Sequence, residues 1–184
     1  NALKQELTMK MMRNPDFRVD YGTIVSCHMV NPKWDKPIVV ISSYGAKQLY
    51  SVDYMHNMMQ KLGKATADAI KTSNKKAILL ASNSLSHRHF TSQPEVIEDM
   101  SAEHIYHHGQ YLWDMKMINL MKAGKTEAVL DLVTDFTEHT IAETDGGGLS
   151  WLLSAMDMPK TPAKLHGYGT VIGTGNAIME WRPA

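Results

Sequence analysis

Two short apolar runs constrain this chain more than any other feature: Pro37-Ile38-Val39-Val40-Ile41-Ser42-Ser43 and Lys76-Ala77-Ile78-Leu79-Leu80-Ala81-Ser82. Neither alternates apolar with polar, so neither suits a sheet with one wet face. An unbroken run of this kind reads as a strand covered on both sides. Between the two, a helix is predicted over residues 52–73, with Ser51 as its cap. Its apolar stripe is Val52, Met55, Met59, Leu62, Ala69 and Ile70, with Thr66 as the polar interruption. Buried strands alternating with long helices predict an α/β layered domain, with a central mixed sheet flanked by helices.

The remaining elements follow from the same rules. A helix is expected over residues 2–12, where Leu3, Leu7, Met11 and Met12 cluster toward one face, and Asn14-Pro15 ends it. Residues 16–36 read as irregular. Helices are expected over about 101–123, stopped by Gly124, and over about 126–140. Gly146-Gly147-Gly148 breaks the chain before a short helix at 149–156, and two strand-like pieces, 168–172 and 177–181, are joined through Gly173-Thr174-Gly175.

Size and charge narrow the class. A chain of 184 residues suits one domain with a substantial core, spanning residues 1–184. Nineteen basic and nineteen acidic side chains cancel, which gives no reason to expect nucleic acid or an anionic membrane as partner. No apolar run nears the ~20 residues of a membrane span. The single cysteine, Cys27, cannot form an internal disulfide, so a reducing cytoplasm is the expected compartment. Residue 1 is asparagine and a helical pattern is in progress almost at once, which fits a natural beginning upstream and equally fits an engineered start or simple N-terminal trimming.

Several residues could carry chemistry. His87 follows a predicted buried strand, and ligands bind beyond the carboxyl ends of strands in open α/β sheets. Its small polar neighbours, Ser82-Asn83-Ser84-Leu85-Ser86, leave room for a substrate, and an imidazole titrates near neutrality. A solvated loop histidine would look the same. His89, two positions on, reads as a surface or supporting residue. His104, His107 and His108 would share a face if helical, yet the His-Glu-x-x-His frame of zinc proteases is absent, and a wet helix face is the plainer reading. Glu143 lies between an amphipathic helix and the glycine run, where a carboxylate can be a metal ligand, a helix-end charge or a surface acid. Gly173-Thr174-Gly175-Asn176 lacks phosphate-cradling spacing, and no Gly-x-Ser-x-Gly elbow supports a hydrolase triad. These residues alone allow a histidine–carboxylate site and do not choose a reaction.

Four stretches together resemble the class III (LigB-type) extradiol dioxygenases. Asp20-Tyr21-Gly22-Thr23 is similar to the family's Asp-His-Gly segment, and Lys36-Pro37-Ile38-Val39-Val40-Ile41-Ser42 to its core strand. Ser82-Asn83-Ser84-Leu85-Ser86-His87 resembles the strand end bearing the family's catalytic histidine. Tyr168-Gly169-Thr170 with Gly173-Thr174-Gly175-Asn176-Ala177-Ile178 resembles its closing turn and strand. The Tyr21 variant, with residues 24–28 after it, looks closer to the aminophenol-cleaving branch than to the protocatechuate branch.

The resemblance implies an iron(II) enzyme that opens an aromatic ring with O2. His87 would be its acid–base histidine, Glu143 the carboxylate of its metal-binding facial triad, and Tyr21 a substrate-binding residue whose phenol can donate or accept a hydrogen bond. The family's two histidine ligands lie on segments earlier than any seen here, so they are expected upstream of residue 1. The chain would then be the C-terminal part of a longer catalytic chain, inactive by itself and paired in a heterotetramer with a related non-catalytic subunit. Two alternatives stay open: the non-catalytic subunit itself, in which His87 and Glu143 would be relics, and a metal-dependent hydrolase on a similar fold.

Overall fold

The computed structural model describes residues 6–42, 49–88 and 104–182. Helix α1 (Tyr21–Val30) lies in the stretch expected to be irregular, and Asp20 caps it by accepting a hydrogen bond from the Thr23 amide. The apolar residues Ile24, Val25, Met29 and Val30 are all exposed. The helix therefore has no buried stripe for periodicity to reveal, and its cap was the readable signal. The predicted helix over 2–12 is not formed by residues 6–14, and residues 1–5 lie outside the described residues. Leu7 alone is buried there, against Leu62 and Ala65. One buried residue gives little tertiary packing to an isolated segment of this length, and such helices are marginal in water.

Helix α2 (Val52–Ser73) matches its predicted span, and Ser51 caps it by accepting from the Tyr54 amide. Its inner face meets α6 (Gly147–Ala155). Thr66, the polar interruption, is accounted for there: its hydroxyl accepts the Trp151 indole N–H at 3.1 Å and donates to the Leu62 carbonyl. Helix α3 (His108–Lys122) begins later than predicted, and residues 104–107 before it are not helical. The predicted helix over 126–140 is two, α4 (Thr126–Asp131) and α5 (Val133–Thr140). Met117, Ile118 and Met121 of α3, Val129 of α4, Phe136 of α5 and Leu153 of α6 are each at most 2% exposed and form one core. Burying each such side chain contributes roughly 1.5–3 kcal/mol.

The chain closes on an antiparallel hairpin, β1 (Lys164–Val171) and β2 (Thr174–Glu180), turned by Ile172-Gly173, both at positive φ. This is the expected pair of strands. The central sheet is not formed by the described residues, whose one sheet is this two-stranded hairpin. Residues 37–42 and 76–82 carry no strand assignment, and Ile38, Val39, Val40, Ile41, Ile78 and Leu80 are exposed. A ladder needs a second strand alongside, and the described residues supply none to either run. Helix and strand content are mixed, and among the described residues no helix is long and apolar enough to cross a membrane.

Candidate functional site

Residues 84–87 are held by hydrogen bonds from four directions. The Leu85 amide donates to the Gly175 carbonyl at 2.9 Å, and the Gly175 amide donates to the Ser86 carbonyl at 3.1 Å. The Ser86 amide donates to Asp114 Oδ1 at 2.9 Å. The His87 amide donates to the Thr140 carbonyl at 3.0 Å, and Gln110 Nε2 donates to the carbonyls of both His87 and Thr140. A segment without regular secondary structure is thereby pinned between α3, the end of α5 and β2.

Glu143 reaches the same segment from the other side. Helix α5 ends at Thr140, and a 3-10 turn (Glu143–Gly146) carries the chain into α6. The backbone around Glu143 is strained: Ile141, Thr144 and Asp145 sit at φ 53°, 52° and 51°, in the left-handed region that non-glycine residues avoid. Such outliers persist where surrounding structure over-determines them, and they cluster at functional sites. The result aims Glu143 Oε2 at the Ser84 amide, which donates to it at 2.5 Å. Gly148 makes the approach possible, since a Cβ there would stand 2.5 Å from Asn83 Oδ1.

The structure thus brings together two predicted site elements, the 84–87 segment, buried over 84–86 with His87 half-buried, and the half-buried carboxylate of Glu143. Tyr21 lies at the start of α1 and is 83% exposed. Its helix touches the candidate segment through Ser26 Oγ, which donates to Ser82 Oγ at 3.0 Å, and Ser82 Oγ donates to the Gly22 carbonyl. The histidine cluster does not assemble as a helix face. His107 is the N-cap of α3, its Nδ1 accepting from the Gly109 amide, and His104 precedes the helix altogether. His89 lies outside the described residues.

Two groups escaped the sequence reading. Asp114 is fully buried in α3, and its Oδ2 accepts the hydroxyls of Ser86 at 2.7 Å and Tyr168 at 2.8 Å. Burial pushes its carboxyl above the usual range, opposed by the hydrogen bonds from Ser86 and Tyr168. Burial, with the hydrogen bond to Asp114 second, raises the Tyr168 phenol as well. The readable signal was spacing: Gln110 and Asp114 continue, at i and i+4, the buried stripe of Met117, Ile118 and Met121. His56 is the second. It is 4% exposed, its Nδ1 lies 2.7 Å from Ser150 Oγ, and burial lowers its pKa against the opposing charges of Asp53 and Asp145.

A metal ion would find Glu143 here and little more. Among the described residues no three His, Cys, Asp or Glu side chains converge on one point. The described residues therefore do not fit a complete metal centre. A surface hollow of about 290 Å³, lined in part by Lys64, Glu127 and Asp131, includes neither Glu143 nor His87. It is not the candidate site.

Residues 1–179 match the family model described as the catalytic LigB subunit of aromatic ring-opening dioxygenase. The chain is 51% identical over 178 residues to the 2-aminophenol 1,6-dioxygenase beta subunit of a Pseudomonas species, covering 97% of this chain and 58% of that protein. It is 26% identical over 166 residues to the alpha subunit of 2-aminophenol 1,6-dioxygenase from a Pseudomonas species, covering 90% of this chain and 57% of that one. The chain spans less than three fifths of the length of these two relatives.

Proposed function

The chain belongs to the LigB family of catalytic subunits of aromatic ring-opening dioxygenases, and from that footing we propose that it is part of an extradiol dioxygenase for 2-aminophenol or a close aminophenol or catechol. The ring opens beside the hydroxyl-bearing carbon, and both atoms of O2 enter a 2-aminomuconate semialdehyde-type product, so no external reductant is needed. The observation that carries this reading is the bond from the Ser84 amide to Glu143 Oε2, which sets a carboxylate against the segment that ends in His87.

In this reading His87 is the acid–base residue, taking a proton from the substrate's hydroxyl or amino group and returning it as the ring opens. An imidazole can both accept and donate a proton, which suits both halves of that task. Glu143 would ligate the metal, taken as iron(II), together with two histidines on segments outside this chain. Tyr21 contributes a phenol at the substrate's polar edge once the rest of the protein covers it. There the exposed runs 37–42 and 76–82 would join further strands in a central sheet, a role that suits their apolar side chains.

The match of residues 1–179 to the catalytic LigB subunit model supports the catalytic chain over a non-catalytic partner. That one relative is named as a beta and the other as an alpha subunit supports a second, related chain in the assembly, as an α2β2 heterotetramer. The cytoplasm suits a chain whose Cys27 is a buried free thiol.

The test is oxygen uptake by the full-length natural gene product, loaded anaerobically with ferrous iron, on addition of 2-aminophenol. Rapid uptake with loss of aromatic absorbance is expected. An iron-loaded protein that consumes no oxygen with any aminophenol or catechol would overturn the reading, and one that cannot bind iron would turn it toward the non-catalytic subunit.

A further inference from the structure

We infer that Asp114 is a positioning residue for His87, acting through the Ser86 backbone and hydroxyl; this rests on the reading of His87 as the acid–base group. Asp114 is 0% exposed, and burying a carboxylate is costly unless its oxygens are filled. Here they are filled by three donors, and two of the three come from the residue directly before His87. Ser86 N donates to Oδ1 at 2.9 Å, Ser86 Oγ to Oδ2 at 2.7 Å and Tyr168 Oη to Oδ2 at 2.8 Å.

The next turn of α3 toward its N-terminus completes the clamp. Gln110, one helical turn from Asp114, donates to the carbonyls of His87 and Thr140, and Thr140 in turn accepts the His87 amide. The backbone N–H and C=O of both Ser86 and His87 are therefore all engaged, two of the four by side chains of α3. Strand β2 seals the arrangement from outside. A Cβ on Gly175 would overlap Asp114 Oδ2 and stand 2.7 Å from Ser86 Oγ, so only a glycine lets the hairpin seat there.

A proton transfer is steep in geometry, and a displacement of 1 Å can cost about 100-fold in rate. A loop histidine has no helix or sheet ladder to fix it. The carboxylate supplies that fixation, because a charged acceptor makes stronger and more directional hydrogen bonds than a neutral one. Nothing in the arrangement brings Asp114 toward the substrate, so its effect belongs to turnover rather than to substrate affinity.

The experiment compares wild type, Asp114→Asn, Tyr168→Phe, His87→Ala and the double variant His87→Ala with Asp114→Asn, all in the full-length ferrous protein, by steady-state oxygen uptake and thermal melting. For Asp114→Asn the expected result is a kcat lower by about tenfold or more, a KM within about threefold of wild type, and a displaced pH profile of kcat. Tyr168→Phe, which removes one donor at nearly constant volume, should show a smaller loss of the same kind. The double variant should be no slower than His87→Ala alone, since a residue that acts through His87 has nothing to act on once the imidazole is gone.

A well-folded Asp114→Asn with unchanged kcat and pH profile, beside an inactive His87→Ala, would overturn the inference and leave the reading of His87 intact. Multiplicative losses in the double variant would also overturn it. An active His87→Ala would overturn both. Should Asp114→Asn not fold, Tyr168→Phe decides: a kcat loss at constant KM supports the clamp, and a wild-type kcat removes it.

Discussion

Ser84 and Glu143, 59 residues apart in sequence, are joined by a hydrogen bond of 2.5 Å from the Ser84 amide to Glu143 Oε2. The bond fixes one carboxylate oxygen, while His87 stands three residues along the same segment. The two side chains should therefore fail differently. His87→Ala in the full-length protein is expected to keep its iron and to lose turnover by roughly 100- to 10,000-fold, the usual worth of a positioned acid–base group. Glu143→Ala is expected to lose most of the bound iron, measured by elemental analysis after desalting. Two variants that both retain iron and activity would contradict these roles.

The strain beside Glu143 offers a second check. Thr144 is exposed and held at φ 52°, a conformation that costs an L-residue about 1–2 kcal/mol and glycine almost nothing. Glycine gives back part of that through the greater freedom of the unfolded chain. Thr144→Gly is expected to stabilise the protein by about 0.5–1 kcal/mol in urea denaturation. A loss of stability would mean that the Thr144 side chain contributes more than its exposure suggests.

Phe136 ties α5 to α3, and it is 1% exposed, with its ring edge-on to Trp113 at 6.4 Å between centroids. Phe136→Ala is expected to cost about 3–5 kcal/mol, through lost burial and the cavity left behind. Because α5 leads directly to Ile141 and Glu143, the same variant should bind iron more weakly than a surface control such as Glu138→Ala. Equal iron occupancy in the two would separate the core from the site.

What could be read in the sequence was local. Ser51 before an amphipathic pattern predicted α2 to the residue, and two strand-like pieces either side of a glycine turn predicted the closing hairpin. Caps and periodicity are properties of neighbours in the chain, so one sequence contains them. The runs at 37–42 and 76–82 are not paired as strands among the described residues, because a strand is a relation between two segments and none of those residues lies alongside either run as a partner. Helix α1 was hidden because its apolar side chains face outward, and the His104–His108 cluster dissolved because His107 caps a helix instead of joining it. His87 was singled out by its place after an apolar run and Glu143 took its role from the resemblance, yet the meeting of Glu143 with the 84–87 segment depends on a strained turn that no periodicity announces. Asp114 was missed for the opposite reason. A charged residue in a helix is ordinarily taken as outward-facing, and only its place in the Met117–Met121 stripe marks it as inward.

His56 gives the last prediction, in which the sign can be worked through. Its ring is buried beside Ser150, and burial lowers its pKa from the ordinary 6.5, although Asp53 and Asp145 pull the other way. The folded protein therefore prefers the neutral ring more than the unfolded chain does. That preference contributes stability above the unfolded value of 6.5, and the contribution is lost as pH falls through 6.5 toward the lower folded value. The melting temperature should drop between pH 7.5 and 5.5. The diagnostic is the difference from a variant with no imidazole at position 56. His56→Gln is expected to be less stable at pH 8 by about 1 kcal/mol, the worth of one compromised buried hydrogen bond, and to show a flatter pH dependence below 7. Should the wild-type and His56→Gln curves run parallel from pH 7.5 to 5.5, the buried ring would not be what α2 and α6 lose on acidification.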